Sequence, residues 1–309
     1  MFQKIRAIIF VLCYTGVMEQ TYAAYARNEL TEHIIYGKLA TMERKPENRA
    51  LLEKLSAQEK SHYEFWSELT PNTKIKPRSF GVFLFPAMRM ILGVTFTTKL
   101  LESHEKDAVE RYENLLPHIP PSHRARFEAI IKDEQSHERS LIAGVKEKRI
   151  AYLGFIALGL ADAIVEITGV HAGFLGVTGS TLIAGISGII VGFAAAISMG
   201  SASYIQAKQE PDKSAVLSGF ATGISYLGSV ILLALPYFLI STMIPAFIVS
   251  TSVGIILLAG FTFYGAVVND RMFLREFGES VALMLGTAFA TFILGNIVGK
   301  IFHVNTKSF

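Results

Sequence analysis

A single cysteine, Cys13, in 309 residues leaves no internal disulfide framework and no cysteine-built zinc or iron–sulfur site. Any metal bound by this chain must therefore be held by Glu, Asp, His, Tyr or Met. An excess of one charge is also missing: the net charge is +3 and no dense basic run accompanies it, which argues against a nucleic-acid partner. Beyond Arg149 charge of either sign is scarce, with 13 charged residues, and from Ser214 to Asn269 there is none. The first half of the chain is water-facing by composition, and the second half has the composition of membrane.

Long hydrophobic runs are abundant in that second half. Arg149 to Gly173, RIAYLGFIALGLADAIVEITGVHAG, is long enough to cross a bilayer, which takes about 20 residues. It nevertheless carries Asp162 and Glu166, one helical turn apart on one face. An ionised side chain at that depth costs about 3 kcal/mol or more, so such groups turn toward a bundle interior, a cavity or a cation and mark a functional site. Further apolar runs at Thr181 to Tyr204, Ala215 to Ile240, Ile244 to Val268 and Val281 to Phe302 bring the expected spans to five. Lys146, Lys148 and Arg149 precede the first span, Lys208 and Lys213 follow the second, and Arg271 and Arg275 follow the fourth. The positive-inside rule then puts the first half in the cytoplasm and the C-terminus outside.

The first half divides into an N-terminal arm, residues 1–17, and a helical domain, 18–148, ahead of the five-span domain, 149–309. The opening MFQKIRAIIFVLCYTGVM has the basic start of a signal peptide but too short an apolar part to span, so a disordered or membrane-surface arm is expected. Four helices are expected after it. They run from Glu19 to Ala40, from Pro46 to Leu69, from Val82 to Leu116 with a kink at Pro86, and from near Ser122 onward. The apolar stretch Ser79 to Thr98 is either core or a surface that packs on the membrane or on a second subunit.

The two halves of this domain repeat. Glu29 precedes Tyr36 by seven residues and Glu59-x-x-His62 follows; Glu105 precedes Tyr112 by seven and Glu134-x-x-His137 follows. Lone and paired glutamates are 30 residues apart in one half and 29 in the other. Glu and His at i and i+3 share a helix face, so a carboxylate can bridge two cations while the imidazole caps one. A Glu from each remaining helix completes a carboxylate-rich site of hard oxygen and nitrogen donors suited to iron or manganese, with zinc as a substitute. Glu102, three residues before Glu105, can add a ligand. Tyr36 and Tyr112 either donate hydrogen bonds to the carboxylates or are core tyrosines. Glu19 and Glu32 read as helix-surface residues, and His33 and His104 as groups outside the ligand set.

RNELTEHIIYGKLA, LSAQEKSHYEFW, LLESHEKDAVERY and IKDEQSHERS resemble the four helices of the ferritin-like, rubrerythrin-related di-iron domains. That resemblance implies a four-helix bundle whose di-iron ligands are Glu29, Glu59, His62, Glu102, Glu105, Glu134 and His137. The four-cysteine electron-relay module of full rubrerythrins is absent from the sequence, which makes efficient reductive peroxidase chemistry less expected. GLADAIVEITGVHAG and VGFAAAISMGSASYIQAKQE resemble the first two spans of the vacuolar iron transporter family. By that likeness Asp162 is the transport carboxylate, Met199 a soft metal ligand, and the assembly a homodimer; Glu166 joins them on spacing alone. Ala163 stands where that family often has Gly, and the loop Gln206 to Ser214 is too short for the metal-binding domain of its plant members. The pairing is similar to the membrane-bound ferritin proteins of bacteria and archaea.

The expectation is an all-α protein of the cytoplasmic membrane. Its bundle captures or senses cytoplasmic Fe(II) or Mn(II), and its spans export the ion by proton antiport. The competing expectation is a membrane-anchored ferroxidase or peroxide scavenger.

Overall fold

In a computed structural model the backbone is described for residues 2–103, 106–144, 152–210 and 212–304, and the side chains for 20–103, 109–136, 152–210 and 212–304. Among these residues the protein is all-α, with eleven α-helices, two single 3-10 turns and no strand. Its contacts divide it into two units, Met1–Glu147 and Lys148–Phe309.

In the first unit α1 runs from Phe2 to Met42 without a break, so the helix extends through the segment expected to be an arm. A three-residue link leads into α2, Pro46–Glu68, with its proline at the helix start, where a missing N–H costs nothing. A link this short makes α1 and α2 an antiparallel pair, and they pack along one another. Glu43 fixes the turn: Asn48 Nδ2 donates to its carboxylate at 2.8 Å, Arg49 Nη2 to its carbonyl at 2.7 Å, and the Arg89 guanidinium pairs with it from α3.

The expected third helix is instead three: α3, Ser79–Leu92, α4, Val94–Glu102, and α5, Lys106–Leu115. Pro86 lies within α3 and does not end it. The break falls at Gly93, whose φ of 94° lies in a region open to glycine and costly for any other residue. After the 3-10 turns Leu116–His118 and Pro121–His123, α6 runs from Arg124 to Gly144 and packs on α2, α4 and α5.

Two apolar layers hold the unit together. One gathers Tyr22, Ala26, Phe65, Trp66, Tyr112 and Phe127, with Trp66 stacked on Tyr25 at 4.9 Å and Phe65 on Phe127 at 5.5 Å. The other gathers Ile35, Tyr36, Leu39, Leu52, Leu55 and Leu101. Each buried Leu, Ile or Phe among them contributes about 1.5–3 kcal/mol.

In the second unit five helices are long and apolar enough to cross a membrane. They are α7, Leu153–Val177, α8, Thr181–Ala207, α9, Ala215–Leu239, α10, Met243–Asn269, and α11, Phe273–Ile301. The last begins eight residues before its expected apolar run, because Arg275, Glu276 and Glu279 are helical although too polar to read as span. α7 is the central element, packing on all four others. Its approach to α11 depends on Gly176, where a Cβ would stand 2.7 Å from the Asn296 nitrogen and the Phe292 carbonyl. Ile190, Phe220, Ile256 and Phe289 face outward, as expected of helices whose solvent is lipid.

Candidate metal centre

Glu29 lies on α1 between Ala26 of the first apolar layer and Ile35 of the second. On α2, Glu59 and His62 fall between Leu55 and Phe65 in the same way. Helical periodicity thus sets a polar stratum between two hydrophobic ones, and α6 adds Glu134. One donor atom each from Glu29, Glu59, His62 and Glu134 lies within 4.8 Å of the others, and the group can hold a metal ion. His62 Nδ1 is 3.0 Å from Glu134 Oε1, 3.3 Å from Glu59 Oε2 and 3.8 Å from Glu29 Oε2. Its Nε2 is 3.6 Å from the half-exposed Asp133.

Burial makes this arrangement informative. Glu59 is 0% exposed, His62 1%, Glu29 3% and Glu134 5%. Three carboxylates around one imidazole carry a surplus of negative charge even when the ring is protonated, and a desolvated site sheds such a surplus by taking up protons or a cation. The titration of the group follows that rule. Burial drives the Glu59 carboxyl well above the usual range, and the neighbouring Glu134 and Glu29 push it the same way. Burial also opposes charge on His62 and on Glu29. For His62, the carboxylates of Glu134, Glu29 and Glu59 gathered around the ring outweigh burial and raise its pKa. For Glu29, the nearby His62 imidazole leads the effects that leave it lowered. The cluster holds positive charge tightly, and carboxylate oxygens with an imidazole nitrogen form a donor set for hard or borderline divalent cations.

Two tyrosines brace it. Tyr112 Oη donates to Glu29 Oε1 at 2.5 Å, and burial together with Glu29 and Glu134 holds its phenol well above the ordinary value, so it stays a donor. Tyr36 Oη donates to Glu102 on α4, which is itself buried. Glu32, which reads as a surface residue in the sequence, belongs here. It is only partly exposed, and its carboxyl is driven upward first by burial and then by the charges of Glu29, Glu134 and Glu102. Its spacing gave the signal, for it lies three residues after Glu29 and four before Tyr36, on one face of α1. Glu105 and the side chain of His137 lie outside the described residues.

The second unit carries its own polar group. Glu166, half-buried on α7, accepts a hydrogen bond from Tyr226 of α9, a fully buried residue sixty positions away that no sequence pattern singles out. Asp162 lies one turn earlier on α7, also half-buried. Met199 of α8 packs against the apolar cluster of Ala163, Ile164, Ile167 and Tyr226. A groove of about 430 Å³ between α7, α8 and α11 has Glu166 in its wall, with Gly169, Gly173, Thr287 and Thr291.

No protein-family model matches this chain, and neither a curated protein nor a solved structure is significantly similar to it.

Proposed function

We propose that the protein is a transporter of Fe(II) or Mn(II), in which a ferritin-like helical domain captures the ion and the five spans export it from the cytoplasm in exchange for protons. The observation that carries this reading is the presence, in one chain, of a buried three-carboxylate, one-histidine cluster and of two carboxylates inside an apolar helix long enough to span a bilayer. A helix that only anchors a domain does not need Asp162 and Glu166, and retaining them at membrane depth costs free energy that transport explains. Both can alternately bind a cation and protons, and the Tyr226 hydroxyl steadies Glu166 between those states. Resident metal in the cluster would be held by Glu29, Glu59, His62 and Glu134, with Glu102, Glu105 and His137 completing a di-iron set; such a pair supplies redox chemistry toward oxygen or peroxide. The loop charges support a cytoplasmic ferritin-like domain and an outside C-terminus, and the resemblance of the first two spans to those of vacuolar iron transporters supports a homodimer.

The decisive measurement is Fe(II) flux in proteoliposomes under an imposed pH gradient, for wild type, Asp162→Asn and Glu59→Ala/Glu134→Ala. Gradient-driven flux lost in Asp162→Asn establishes transport. A second reading, a membrane-anchored ferroxidase or peroxide scavenger, is favoured by the tyrosine-braced carboxylate stratum. It takes precedence if wild type moves no metal and Asp162→Asn consumes oxygen or peroxide normally.

A further inference from the structure

The apolar segment α3 is not core. Its inner side is settled: Val82 and Phe85 pack against the layer around Ile35 and Leu39, the Arg89 guanidinium pairs with Glu43 and donates to the Met42 carbonyl at 2.9 Å, and the Arg78 amide donates to Thr31 Oγ1 at 3.0 Å. Its other side is bare. Phe80 is 75% exposed, Phe83 76% and Met90 69%, and no residue of the helix is buried. These positions recur at i, i+3 and i+10, so they form one stripe opposite the docked face. Scattered exposed apolar residues need no explanation, but a stripe of two phenylalanines and a methionine on a helix docked from behind calls for one.

The charges beside it identify what binds. Lys74, Lys76 and Arg78, all exposed, lead into the helix, and from Leu69 to Leu101 the sequence contains no carboxylate. Bulky apolar residues on one face of a short helix with cations at its flank are the composition of a segment lying in a bilayer interface, where the apolar side enters the acyl boundary and the cations meet phosphates. A second copy presenting the same face would offer no carboxylate to pair with these cations. The chain's five membrane-length helices also keep it at a bilayer, so lipid is always at high effective concentration.

We infer that α3 is an interfacial lipid-binding helix, with Phe80, Phe83 and Met90 immersed at the acyl boundary of an anionic lipid surface and Lys74, Lys76 and Arg78 at its headgroups. This inference does not depend on what the protein transports.

The test places an indole at the stripe. The full-length Phe83→Trp variant is reconstituted in vesicles of brominated phosphatidylcholine, with and without phosphatidylglycerol, and compared with wild type, whose buried Trp66 provides the baseline. The added indole should emit at short wavelength and be quenched by roughly half in brominated lipid. Replacing Lys74, Lys76 and Arg78 by Gln in the same background should reduce that quenching, most in the vesicles containing phosphatidylglycerol. An indole that emits like one in water and escapes quenching overturns the inference. Blue-shifted emission without quenching also overturns it, assigning the stripe to a second copy of the chain. Quenching indifferent to the three substitutions overturns the role of the anionic headgroups.

Discussion

His62 is the one imidazole among four donors, and its proton competes with a metal ion for the same three carboxylates. Its pKa is raised in the folded protein, so the stability it contributes is complete below the free-imidazole value of 6.5 and declines as pH climbs toward the folded value. Glu59, also raised, acts in the same direction from lower pH, whereas Glu29, lowered, has given its full contribution before neutrality. The chelated protein should therefore lose thermal stability as pH rises from about 6.5 to 9, measured by the unfolding midpoint of the full chain. With Mn(II) in excess the slope should flatten or reverse, because deprotonation strengthens metal binding and each ion loaded displaces about one proton or more. Tyr112→Phe tests the bracing separately: without the hydroxyl that orients Glu29, metal affinity should fall about tenfold by calorimetric titration, with the fold intact by circular dichroism. At this scale the sequence was a good guide wherever two ligands share one helix. Glu59-x-x-His62 needs only the helical repeat to face one way. It was a poor guide for Tyr226, because a tyrosine in an apolar span has no pattern to betray its partner.

Among the helices, the ones legible in the sequence were those whose ends are written in local chemistry, such as Pro46 opening α2, or whose apolar length admits no other reading, as with α7 to α10. The third helix of the bundle was not, since a lone glycine inside an apolar run looks tolerable until its φ of 94° is seen to break the chain into α3 and α4. That break separates α3, with its bare stripe, from α4, which supplies Glu102 to the polar stratum. Gly93→Ala, forced into the same φ, should destabilise the first unit by about 1 kcal/mol or more, read as a lower denaturant midpoint. In the second unit the corresponding test is Gly176→Ala. The atoms a Cβ would meet are backbone of α11 and cannot rotate away, so α7 and α11 must separate at a cost of about 1–3 kcal/mol. The expected result is a lower thermal midpoint in detergent for Gly176→Ala, whereas Gly228→Ala, which meets nothing within 4 Å, does not lower it.

For the molecule as a whole, the proposed transport rests on two carboxylate groups set in different surroundings. The cluster of the first unit is fully buried, rich in carboxylates and braced by phenols, which favours tight, slow binding. Asp162 and Glu166 are half-buried, and the wall of an open groove contains Glu166, which favours exchange. If the two groups act in turn, as proposed, the first discriminates and the second passes the ion, and this makes distinct claims about metal dependence. If the cluster captures cargo for export, Glu59→Ala/Glu134→Ala should raise the Fe(II) concentration needed for half-maximal flux and leave the maximal rate within about twofold of wild type, since at saturation the spans are filled directly. If occupancy of the cluster gates the spans, the maximal rate itself should collapse in that variant. Asp162→Asn should abolish flux in either case while leaving stoichiometric Mn(II) binding to the first unit intact. Initial rates across a range of Fe(II) concentrations, measured on the same vesicle preparations, distinguish capture from gating because only capture can be overcome by adding metal.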